Sequence, residues 1–183
     1  MRPVYVVDLM ETVVNAVSAK LTTQLKLEDA AITGVHYQYG HPKEIINTLT
    51  KLGSAPTGKF NKYPLVALFQ DFPETKGEIG FDSEVSLHMI ICKGTSPEYK
   101  AKQRMEKNFK PFLYPIYLEL LNQLSLSGSF LVKSPGTISH TKIDRMYWGA
   151  DGLYVDGLAN QANDYLDCIE LRDFKIKVNL LNC

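Results

Sequence analysis

Pro64-Leu-Val-Ala-Leu-Phe-Gln-Asp71 and Ser83-Glu-Val-Ser-Leu-His-Met-Ile-Ile-Cys92 are the two stretches that decide the fold. The first places Leu65, Ala67 and Phe69 on one face and Val66 and Leu68 on the other. In the second, Val85, Leu87, Met89 and Ile91 share a face, opposite Ser86, His88, Ile90 and Cys92. Alternation with a period of two marks a strand, because successive side chains leave a pleated backbone on opposite sides. The polar link from Phe72 to Phe81 reads as a long hairpin loop, so the two strands are expected to pair antiparallel.

Working outward, residues 3–20 predict a helix. Val7, Met10, Val13, Val14, Val17 and Leu21 recur at three- and four-residue spacing, and Pro3 suits a first turn. Val35, Tyr37 and Tyr39 alternate with His36 and Gln38, which predicts a strand within 31–39. Gly40-His41-Pro42 breaks it, and Ile45, Ile46, Leu49 and Leu52 predict a short helix closed by Gly53. Residues 53–62 are rich in chain breakers and read as a loop. A helical stripe from Ser96-Pro97-Glu98 to Leu124 carries Pro111 and Pro115 inside it, so a kink or two helices end to end are expected. Further strands are expected at 129–133, 140–148 and 164–178. In the last, the apolar phase flips at Arg172-Asp173, the mark of a bulge or a bend. The sum is a single α+β domain over 1–183, with an antiparallel sheet packed by an N-terminal helix and a long kinked second helix.

Composition agrees with a globular chain. Of 183 residues, 45% are hydrophobic and 22% charged, enough to bury a core without staples. Twenty basic residues balance twenty acidic ones, giving a formal net charge of zero. That argues against a strongly basic nucleic-acid binder and leaves self-association unopposed by long-range repulsion. Cys92, Cys168 and Cys183 form no C-x-x-C pair, so a zinc ribbon or redox pair is not expected, and a reduced intracellular chain is. No signal peptide or apolar run of membrane-spanning length is apparent.

The search for chemistry yields little. His36 and His88 fall on strands, and His41 sits at a strand-to-helix corner where its expected work is hydrogen bonding. His41-Pro-Lys-Glu44 is not H-E-x-x-H, and His140 has no ligand-spaced partner. Asp151, Asp156, Asp164 and Asp167 miss the calcium-loop spacing, and Asp151-Gly and Asp156-Gly read as turns. There is no nucleophile elbow and no dinucleotide fingerprint. Gly53-Ser-Ala-Pro-Thr-Gly58-Lys59-Phe60 has Phe where a phosphate loop needs Ser or Thr. No metal and no cofactor are expected.

Charge is unevenly spread. Residues 98–110 hold Lys100, Lys102, Arg104, Lys107 and Lys110 against Glu98 and Glu106, whereas 151–173 hold six acidic residues against Arg172. Opposite patches on one chain suit head-to-tail association, so Lys100, Lys102 and Arg104 against Asp164, Asp167 and Glu170 are the expected subunit-interface residues.

The order of segments resembles the small ring-forming head-tail connector proteins of tailed bacteriophages, the tail-terminator and tail-completion group, including those of crAss-like phages. The resemblance rests on the opening helix and on Tyr37-Gln38-Tyr39-Gly40-His41-Pro42-Lys43-Glu44-Ile45-Ile46 as the strand-to-helix step. It continues through Lys62 to Asp71 as the central strand, Phe109 to Tyr117 as the later helix, and Asp164 to Leu171 as the closing strand. It implies a structural virion protein without catalysis: a homo-oligomeric ring of six or twelve copies in the neck or tail. Such a ring contacts other connector, portal or tail proteins, and the genomic DNA passes through it without specific binding. Glu74, Lys76 and Glu78 are then candidates to line the channel or clamp a neighbour, and 134–160 reads as an inserted arm. The rival expectation is a small intracellular enzyme with a site near His41 and His88 or among Asp151–Asp167. A third is a monomeric binding module anchored by Tyr147 and Trp148.

Overall fold

The computed structural model describes residues 5–54, 62–77, 82–148 and 165–179. Helix α1 (Val6–Glu28) runs eight residues past the expected end, because Leu21 and Leu25 continue the buried face begun by Met10, Val13, Val14 and Val17. Asp8 in its first turn and Lys26 in its last complement the helix dipole. Strand β1 (His36–Gly40) follows. Ser18 on α1 accepts the Val35 N–H at 2.9 Å, and a Cβ at Gly34 would lie 2.6 Å from that hydroxyl oxygen, so a larger residue there would push the hydroxyl out of this bond. Helix α2 (Pro42–Ser54) then leads to β2 (Leu65–Phe69).

Strand β3 (Glu74–Lys76) lies within the anticipated hairpin loop and pairs with β4 (Asp82–Gly94). Strands β2 and β4 are antiparallel, as the alternation implied, with Leu65 opposite Cys92 and Phe69 opposite His88. Strands β1 and β2, however, are parallel, with His36 opposite Leu65. The sheet is therefore mixed, though mostly antiparallel, in the order β1-β2-β4-β6-β5. The reason is α2: a helix between two strands carries the chain back to the same end of the sheet, and the strands then run the same way.

The second long helical segment begins as α3 (Ala101–Arg104), widens to a π-helix at Met105–Leu113, and ends as α4 (Tyr114–Leu126). The expected break at the prolines is expressed as this change of helix type, with Pro111 inside the π stretch and Pro115 in the first turn of α4. Phe130 makes only a bridge to Val178, in place of the strand expected at 129–133. A 3-10 turn at Pro135–Thr137 precedes β5 (Ser139–Trp148), which pairs with β6 (Leu166–Asn179). That corrects the inserted-arm expectation for 139–148, which is a sheet strand paired with β6, as the strand expected at 140–148 implied; residues 149–160 lie outside the described residues.

Where the phase flips, Leu87 opposes Phe174 and Met89 opposes Leu171, so Arg172 and Asp173 together face His88. Asp173 takes φ 50°. This bulge keeps both Leu171 and Phe174 buried on the helix side of the sheet. On that side α1, the π-helix and α4 cover Val66, Leu68, Leu87, Met89, Ile91 and Ile169. On the opposite side α2 brings Ile45 and Leu49 over Leu65, Ala67, Phe69, Ile90, Cys92 and Cys168. No helix among the described residues is long and apolar enough to cross a membrane.

Candidate functional site

A cleft of about 780 Å³ opens where the C-terminal end of α1, the end of β4 and the π-helix meet. Glu28 and Asp29 come from α1, Lys93 from β4, Tyr99 from the following loop, and Lys107 and Phe112 from the π-helix. Lys93 pairs with Asp29 at 3.4 Å and sits 4.4 Å from the centre of the Phe112 ring. Lys107 lies 4.4 Å over the Tyr99 ring. Each ammonium is thus backed by an aromatic face, which holds it by cation–π attraction while leaving its stem packed.

Behind the cleft lies a buried polar network. Arg104, 1% exposed, donates from Nη1 to Asp167 Oδ1 at 2.6 Å, and Asp167 is fully buried. Asn108, one turn along, donates to the other carboxylate oxygen at 2.6 Å. Arg104 also donates from Nε to the Tyr99 carbonyl at 2.8 Å and from Nη2 to the Ser96 carbonyl at 2.9 Å. One guanidinium therefore ties the 95–99 loop, the helix and β6 together. A buried carboxylate needs such partners, because it loses its water on folding.

The interface expectation is corrected here. Arg104, Asp167 and Glu170 are buried, and the basic and acidic runs meet inside one chain, where Arg104 and Asp167 neutralise each other. Lys100 and Lys102 are exposed at the start of α3. Asp164 lies outside the described residues. On β3, Glu74 and Lys76 are exposed, with Glu74 opposite Val85 and Lys76 opposite Ser83; Glu78 lies outside the described residues.

Glu170 forms the second cluster, on the other face of the sheet. Its carboxylate receives His88 Nε2 at 2.9 Å and Arg172 Nε at 2.7 Å, and Arg145 Nε closes on its second oxygen. Burial alone would raise this carboxyl, but hydrogen bonds from Arg145, Arg172 and His88 outweigh it and hold it below its ordinary value. The Phe69 ring meets His88 edge-on at 4.7 Å. Next to it, Cys168 faces Cys92 across the strands, and burial pushes its thiol up, which leaves it a packed side chain and a poor nucleophile.

The other expected residues fall as follows. His41 is exposed at its corner, where Nδ1 accepts the Lys43 N–H at 3.2 Å. His140 donates from Nδ1 to the Ile138 carbonyl at 2.9 Å, so its Nε2 accepts from the Tyr117 hydroxyl at 2.8 Å. Asp151, Asp156, Cys183 and the 55–61 part of the Gly-Lys loop lie outside the described residues, while Tyr147 and Trp148 end β5 by their backbone. Among the described residues, no three His, Cys, Asp or Glu side chains gather as a metal site. The cleft residues Lys93, Tyr99, Lys107, Asn108 and Phe112 were not singled out as a site from sequence; the four-residue spacing of Arg104 and Asn108 is the one local signal that two polar groups share a helix face.

No protein-family model and no curated protein matches the chain.

Proposed function

We propose that this chain is the subunit of a homo-oligomeric ring in the neck or tail of a tailed bacteriophage, stacked on portal, connector or tail proteins and traversed by the genome. The observation that carries the reading is the pair of unlike sheet edges. Among the described residues, β1 bonds only to β2, and β5 bonds only to β6. A contact between two different surfaces of one chain is heterologous, and heterologous contacts close into rings when the rotation permits. The edges differ in guard as well as in place. Charged Lys142, Asp144 and Arg145 lie on β5, whereas His36-Tyr-Gln-Tyr-Gly40 carries no acidic or lysine/arginine side chain. Charges on an edge strand discourage indiscriminate strand pairing, so β1 is the more receptive edge.

The polar groups of the candidate site also favour a structural role. Asp167 is occupied by Arg104 and Asn108, and Glu170 by two arginines and His88, so the hydrogen bonds of these carboxylates hold elements together. Negative-stain imaging of the purified full chain tests the reading. Closed rings are expected; separate particles of single-subunit size in every field would overturn it.

A further inference from the structure

A second pocket, of about 390 Å³, lies against β1, between α1 and α2. Glu11 reaches it from α1 and Glu44 from the first turn of α2, while Tyr37, Gln38 and Tyr39 form its β1 wall. The Tyr37 and Tyr39 ring centres are 6.1 Å apart and tilted by 34°. Two carboxylates beside two tyrosines form a recess suited to an organic cation, which gains from ion pairing and from neighbouring aromatic rings. The electrostatics agree: burial first, then the charge of Glu11, raises the Tyr37 phenol far above its ordinary value.

The chain carries the matching donor. Lys100 and Lys102 are exposed, and Lys102 makes no ion pair among the described residues. They follow the C-terminal end of β4, whereas the pocket lies along β1 at Tyr37–Tyr39, which pair with Val66–Leu68. Donor and acceptor on two different surfaces of one subunit are the arrangement a head-to-tail contact requires.

We propose that the Glu11–Glu44 pocket of one copy receives the lysine ammonium groups of the Lys100–Lys102 segment of a second copy. This rests on the ring reading and names the residues of its contact. Glu11 is exposed and serves no cap, so Glu11→Lys tests the acceptor without disturbing the fold. Glu44 lies 3.4 Å from the His41 N–H, so Glu44→Gln, which keeps an acceptor there, is the suitable change.

The experiment measures self-association of the full chain by light scattering. Glu11→Lys and Lys102→Glu are each expected to weaken it at least about tenfold, because like charges then face one another. An equal mixture of the two variants is expected to restore assembly, since alternating copies again present opposite charges at every contact. Unaltered melting temperatures exclude misfolding as the cause. Association of the wild type that is indifferent to both variants overturns this contact and leaves the ring reading standing. Absence of any wild-type association overturns both.

Discussion

Replacing Asp167 by Asn strips the negative charge from a fully buried site while keeping the side chain's size. Arg104 stays buried at 1% exposure with its other bonds to Tyr99, Ser96 and Thr95, but its counter-charge at 2.6 Å is gone. The new amide also turns a donor toward Asn108, which now donates to that carboxylate at 2.6 Å. Leaving one member of a buried ion pair uncompensated costs about 3–5 kcal/mol. For a domain of this size each kcal/mol moves the melting temperature by about 2–4 °C, so a drop of about 6–20 °C is expected. Urea unfolding followed by circular dichroism gives the free energy directly. The double variant Arg104→Met with Asp167→Leu removes both charges, and should lose less stability than either single replacement of the pair. A D167N protein within about 0.5 kcal/mol of wild type, or strictly additive losses in the cycle, would refute the claim that this pair ties the helix to β6.

Glu170 gives a pH signature. Its carboxyl is held below its ordinary value in the folded chain, so the unfolded chain binds more protons on the acid side; the stabilisation is complete above the ordinary glutamate value and fades as pH falls through the lowered one. Urea midpoints measured down an acid series should fall more steeply for wild type than for Glu170→Gln, and parallel curves would exclude this contribution. Leu120→Ala empties a fully buried position that α4 contributes to the main core and should cost about 2–5 kcal/mol in the same assay. Removing residues 74–80 takes away β3, whose side chains are exposed, so the remaining sheet should melt normally while ring formation is lost; intact rings from this deletion would clear the hairpin of any assembly role.

Much of the fold was legible because burial on one face writes itself into local spacing. The alternation in 64–71 and 83–92 predicted β2 and β4 and their antiparallel pairing, and the flipped phase at Arg172-Asp173 predicted the bulge. The direction of β1 was not read from the sequence, although its cause was present: α2 between two strands is a crossover, and a crossover makes neighbours parallel. The π-helix was only half legible, since proline announces a disturbance without saying how the helix absorbs it.

The site was far less legible. Arg104 and Asp167 are 63 residues apart, and His88 and Glu170 are 82 apart, so no local pattern marks either pair. Charge counting assigned Arg104, Asp167 and Glu170 to the surface because charged side chains usually stay there. The same counting did find opposite charge in the runs that meet, and missed only that they meet within one subunit. Lys100 and Lys102, three and five residues into the same run, kept the exposure that Arg104 lost, because α3 turns only one side toward the sheet.

The most direct test of the ring assignment is the native mass of the full chain, measured by light scattering over a series of concentrations. A mass of six or twelve subunits that persists on dilution is the expected result. A single-subunit mass at every concentration would contradict it.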